Sequence, residues 1–122
     1  MSSAERRKAV RAPAKLAMEI KLGGTSFGQL KTINVSANGV YFSSPGFIPP
    51  LTRLEIILLI PEKLDGSSGL KREVSCEGVV VRTEPEVEDK SVSEYDVACY
   101  FTSITDHDRG HLESYILTQL SF

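Results

Sequence analysis

Glu94-Tyr95-Asp96-Val97-Ala98-Cys99-Tyr100-Phe101-Thr102-Ser103 alternates, and then the alternation stops. Tyr95, Val97, Cys99 and Phe101 fall on one side of an extended chain; Asp96, Ala98, Tyr100 and Thr102 fall on the other. That period of two reads as a half-buried strand. Directly after it, Thr105 with Asp108 three positions on resembles a capping box. Asp106 and Asp108 suit the positive end of a helix dipole. Leu112, Tyr115, Ile116, Gln119 and Leu120 follow the spacing of one buried helical stripe, with polar Gln119 its weak member. The chain therefore predicts a last strand followed by one C-terminal helix over about 105–120.

Upstream the period stays at two. Lys15–Leu22 places Leu16, Met18 and Ile20 on one side, and Gly23-Gly24-Thr25-Ser26 is a turn. Phe27–Val35 and Val40–Ser43 read as the next two strands, joined through Asn38-Gly39, a hairpin signal because both residues accept positive φ. Thr52–Ile60 is apolar nearly throughout and reads as a strand buried on both faces or packed under the helix. Pro61–Leu70 is a polar loop, Lys71–Arg82 a long strand and Glu84–Ser93 a charged, solvated loop. Many short strands with turn signals predict a mainly β fold: a six-stranded, closed or nearly closed antiparallel β-barrel with the helix behind it. Residues 1–13 are polar and basic, read as a mobile arm, and residues 14–122 as the barrel and helix. Pro13 pushes Ala12 toward an extended conformation, which argues against a helix running on from the arm.

The chain has 122 residues and a net charge of −2, so one domain is the default and bulk basicity gives no reason to bind nucleic acid. The charge is unevenly spread: Arg6, Arg7, Lys8, Arg11 and Lys15 crowd the N-terminus, while Glu84, Glu86, Glu88, Asp89 and Glu94 crowd a later loop. Cys76 and Cys99 sit in alternating apolar runs and read as small buried hydrophobes, not as a disulfide or metal pair. A reduced, cytoplasmic setting fits, with no signal peptide and no apolar run long enough to span a membrane. His107 and His111 have helical i, i+4 spacing but neither a glutamate after His107 nor a third ligand, so no metal site is expected. No nucleophile–base pair, carboxylate dyad or Gly-rich phosphate loop stands out, so no enzyme, catalytic residue or cofactor is expected.

Two short motifs remain. Arg7-Lys8-Ala9-Val10-Arg11 puts two arginines four apart, and Asn34-Val35-Ser36-Ala37-Asn38-Gly39 places an amide, a hydroxyl and a glycine at a strand junction. Taken separately, the first is an ordinary solubilising tail and the second an ordinary turn. Together they suit a ligand rich in phosphate and guanine. Arginine forks onto phosphate, forks onto guanine O6 and N7, and stacks on a purine face. Asn34 can accept through its side-chain carbonyl, Ser36 can donate its hydroxyl, and Gly39 lets backbone approach closely.

In this order, ahead of the strand pattern and the closing helix, the motifs resemble the PilZ domains, small bacterial barrels whose signatures are RxxxR and [D/N]xSxxG. The resemblance covers essentially the whole chain, including Gly78-Val79-Val80-Val81-Arg82. It implies a stand-alone cyclic di-GMP receptor of bacterial second-messenger signalling. Arg7 and Arg11 would hold phosphate and guanine while Asn34, Ser36 and Gly39 shape the opposite wall. Arg6 and Arg82 are further contacts on this reading, with Arg6 placed to influence whether one ligand or a stacked pair is held. Signalling would pass by conformational change to a protein partner in motility, adhesion or polysaccharide control. Two rival readings stay open: a PilZ-like interaction adaptor without nucleotide affinity, and a small barrel for single-stranded nucleic acid. The second is disfavoured by the charge and by the lack of an aromatic ladder near the arm.

Overall fold

The computed structural model describes residues 11–62 and 69–120. Seven strands run in the order β1 (Ala12–Pro13), β2 (Ala17–Leu22), β3 (Thr25–Val35), β4 (Gly39–Ser44), β5 (Arg53–Pro61), β6 (Lys71–Glu84) and β7 (Tyr95–Ile104), followed by helix α1 (Asp106–Gln119). Every pairing is antiparallel, and the sheet order is β1-β3-β2-β5-β6-β7-β4 with an added β3–β4 pairing. That last pairing closes the six long strands into a barrel, which removes free edges. The six expected strands are all present, shifted at their ends by one or two residues. β1 is additional: it is too short to show a period in the sequence, and it adds to β3 through Ala12↔Val35 and Pro13↔Asn34. The expected mobile arm lies outside the described residues except for its last three positions.

Alternation decides what is inside. Met18 and Ile20, Phe42, Ile56, Leu58 and Ile60, Val74 and Val80, and Val97 are fully buried and fill the barrel. Of the two readings of β5, burial on both faces fails and packing under the helix holds: Leu54, Ile56, Leu58 and Ile60 point inward, Ile57 and Leu59 are half-buried between them on the outer face, and the helix packs against the strand. A closed barrel has only one interior, so an apolar run can fill it with every second residue alone.

Helix α1 begins as read, with Thr105 as N-cap accepting from the Asp108 amide at 3.1 Å. Leu112, Tyr115 and Ile116 are buried, and the helix packs on β1, β5 and β6. Gln119 leaves the stripe and is exposed, and Leu120 caps the end half-buried. Cys76 and Cys99 are free and buried, and burial pushes both thiols up to about 12.

Candidate functional site

The two motifs meet where β1, β3 and β4 come together. Because Pro13 stands opposite Asn34, the residue just before β1 is delivered to the same corner. The Arg11 Nη1 donates to Asn34 Oδ1 at 3.5 Å, a long and therefore weak bond, and the Arg11 side chain is exposed. Most of its five donors thus remain open to solvent. Asn34 is half-buried and stands at an irregularity in the β3–β4 register between Thr32 and Asn34.

Ser36, Ala37 and Asn38 make the turn between β3 and β4. The Ser36 hydroxyl is buried and accepts from the Asn38 and Gly39 amides, both at 3.2 Å. Its own amide donates to the Gly39 carbonyl at 2.9 Å. The serine therefore shapes the loop from within. Gly39 corrects a second expectation: neither Asn38 nor Gly39 has positive φ. The glycine is needed because a β-carbon there would run into the Cys99 carbonyl oxygen of β7.

From this corner a row of outward-facing residues crosses the barrel wall. Asn34 pairs with Tyr41, Tyr41 with Ala98, and Ala98 with Arg82. At the usual interstrand distance the row spans about 14 Å, from an amide at one end to a guanidinium at the other. Ala98 puts only a methyl group in its floor, between a phenol ring and a guanidinium. Burial and then the neighbouring Asp96 carboxylate raise the Tyr41 phenol above its ordinary pKa, so it stays a neutral donor. Arg82 Nε lies 3.3 Å from Glu84, but both side chains are more than half exposed, so this ion pair holds the arginine only weakly.

The turn is also held from behind. Arg109 Nη1, on α1, donates to the Ala37 carbonyl at 2.7 Å and to Asn38 Oδ1 at 3.0 Å. The Asn38 carbonyl accepts from the Phe101 amide on β7 at 2.8 Å. One residue before Arg109, Asp108 pairs with Arg72 of β6 at 3.6 Å.

The geometry thus brings Arg11 and Asn34 together, sets Ser36 and Gly39 in the adjoining turn, and places Arg82 in the same row. Arg6 and Arg7 lie outside the described residues. Among the described residues no group of three His, Cys, Asp or Glu side chains could hold a metal, and no helix is long and apolar enough to cross a membrane. A shallow depression of about 250 Å³ between Lys21, Arg53, Glu55 and Glu77 lies on another part of the wall and contains none of the motif residues.

The PilZ domain family matches residues 5–118. The chain belongs to the PilZ family. Solved PilZ structures share its fold. The motility inhibitor MotI (DgrA) of Bacillus subtilis superposes with a TM-score of 0.75 at 22% identity, over 94% of this chain and 51% of that one. MrkH of K. pneumonia, in its apo state, gives 0.66 at 16% identity, over 93% and 50%. The PilZ domain of YcgR from Escherichia coli, solved with c-di-GMP, gives 0.63 at 14% identity, over 94% and 92%. The chain spans about half the length of MotI and MrkH. No curated protein sequence matches it.

Three residues of this PilZ corner escaped the sequence reading. Tyr41 and Ala98 were findable, since each faces outward between inward neighbours in a clear alternation. Arg109 carried a subtler signal: a cation in the first turn of a helix opposes the dipole there, so its reason has to lie outside the helix.

Proposed function

We propose that this PilZ domain is a cyclic di-GMP receptor, with the ligand lying along the row from Asn34 to Arg82 and the N-terminal arginines closing over it. The observation that carries this reading is the approach of Arg11 to Asn34 at 3.5 Å, which joins the RxxxR motif to the NxSxxG motif at one corner. Arg11 takes phosphate or the guanine O6/N7 edge, and Asn34 accepts from the guanine Watson–Crick edge. Arg7 is only four residues away, so its Cα lies within about 14 Å of that of Arg11, close enough to act on the same ligand. Arg82 supplies a guanidinium at the far end, and Tyr41 a neutral hydroxyl between. Ser36 and Gly39 serve by holding the turn. Arg6 adds a third guanidinium to the arm, in favour of a stacked ligand pair. No catalytic step is involved: binding draws the arm upstream of β1 onto the barrel and presents a changed surface to a protein partner.

Isothermal titration with cyclic di-GMP tests this and reports stoichiometry as well. Binding to the unaltered protein, with strong loss in Arg7→Ala and Arg11→Ala, is expected. Unchanged affinity in both variants would sink the site, and no binding at all would favour an adaptor role.

A further inference from the structure

The helix and the motif turn are tied at one point, and nothing in the helix itself accounts for the residue that ties them. Arg109 stands in the first turn of α1, where the peptide dipoles disfavour a cation. Its neighbour Gly110 adds a further weakness: a β-carbon there would have open space, yet the position carries the poorest helix former after proline. Thr105, Asp106 and Asp108 suit the start of a helix, whereas Arg109 suits a contact with the turn. One nitrogen of Arg109 holds both a carbonyl and a side-chain oxygen of the turn, at 2.7 and 3.0 Å. Asn38 is consequently fixed from two directions, through Oδ1 by the helix and through its carbonyl by Phe101 of β7.

We propose that Arg109 is the positioning residue of the turn, and that it makes the seating of the C-terminal helix part of the ligand-binding equilibrium. This rests on the receptor reading above. A ligand that needs the turn in its present shape stabilises the Arg109 contact and with it the seated helix. By reciprocity, whatever lifts the helix weakens ligand binding by the same factor. The helix, remote from the arginine arm in sequence, becomes a second surface that reports occupancy.

Two variants separate positioning from plain helix anchoring. Arg109→Met removes the contact to the turn; Arg72→Met removes a long, partly exposed ion pair to Asp108 that is too weak by itself to unseat the helix, and leaves the turn alone. Hydrogen exchange of the ligand-free proteins is read first. The Gly39 and Asn38 amides are expected to exchange about tenfold faster in Arg109→Met and unchanged in Arg72→Met. Titration with cyclic di-GMP follows, with affinity lower by about tenfold in Arg109→Met and within twofold of normal in Arg72→Met. Arg109→Lys, which keeps the charge but offers a single donor nitrogen, should fall between and serves if the methionine variant does not fold. Equal exchange at Gly39 in all three proteins would overturn the positioning role whether or not any nucleotide binds. Normal exchange differences without binding by the unaltered protein would instead remove the receptor reading and leave the turn contact standing.

Discussion

Gly39 of β4 leaves no room for a β-carbon against the Cys99 carbonyl of β7, because the β4–β7 register sets Gly39 beside Cys99 and Tyr100 where the motif turn ends. The obstacle is backbone, which cannot rotate aside. Gly39→Ala should therefore cost about 3 kcal/mol and lower Tm by on the order of 10 °C. Gly46→Ala, where nothing lies within 4 Å and φ is not positive, is the matched control and should leave Tm unchanged or slightly raised. Thermal melts of the two variants side by side check the claim.

Ser36→Ala strips two half-buried backbone amides of their acceptor. The expected cost is about 1–3 kcal/mol, and the damage should stay local. Denaturant titration gives the first number. Amide exchange at Asn38 and Gly39, faster with the rest of β3 and β4 unchanged, gives the second.

Arg82→Ala breaks only an exposed ion pair, so stability should stay within about 0.5 kcal/mol of the parent. Affinity for cyclic di-GMP should nevertheless fall about tenfold, the usual worth of a charged hydrogen bond. Arg53, also exposed but on β5 and beyond the row, should tolerate alanine without that loss. Titration of both variants decides whether the ligand reaches the far end of the row.

The two thiols make a pH prediction. Burial raises Cys76 and Cys99 from about 9 when unfolded to about 12 when folded. Each folded thiol thus keeps its proton where the unfolded chain would lose it. Above pH 9 the unfolded state binds fewer protons, so this stability contribution, fully present at neutral pH, declines as pH rises from about 9 toward about 12. Native protein should also resist iodoacetamide at pH 8 and react rapidly once unfolded in urea, by mass spectrometry.

Much of this fold is written in alternation, and what escaped is what alternation cannot carry. Tyr95, Val97, Cys99 and Phe101 announce β7, and the switch to a helical stripe at Leu112 announces α1, because burial on one face repeats along each element. β1 has two residues and no repeat to read. β5 left two readings open because Ile57 and Leu59 are apolar on a face that is only half-buried. At the site, Asn34 and Ser36 were legible as turn chemistry and Gly39 as a place of close backbone approach, yet the strand that approaches it was not. The constraint on Gly39 comes from Cys99, a residue 60 positions away brought near by the β4–β7 register. Arg109 meets Asn38 across a separation of 71 positions. Contacts of that range are set by barrel closure, not by any local pattern.

Ala12 is completely buried and locked to Val35, one residue beyond Arg11. That small anchor acts as a mooring. On the proposed reading, capture of a ligand by the arginines upstream of that point is an intramolecular event governed by effective concentration. Lengthening the tether between Arg7 and Arg11 with glycine–serine spacers should therefore weaken closure gradually, whereas cutting the mooring with a charged residue at position 12 should abolish it at once.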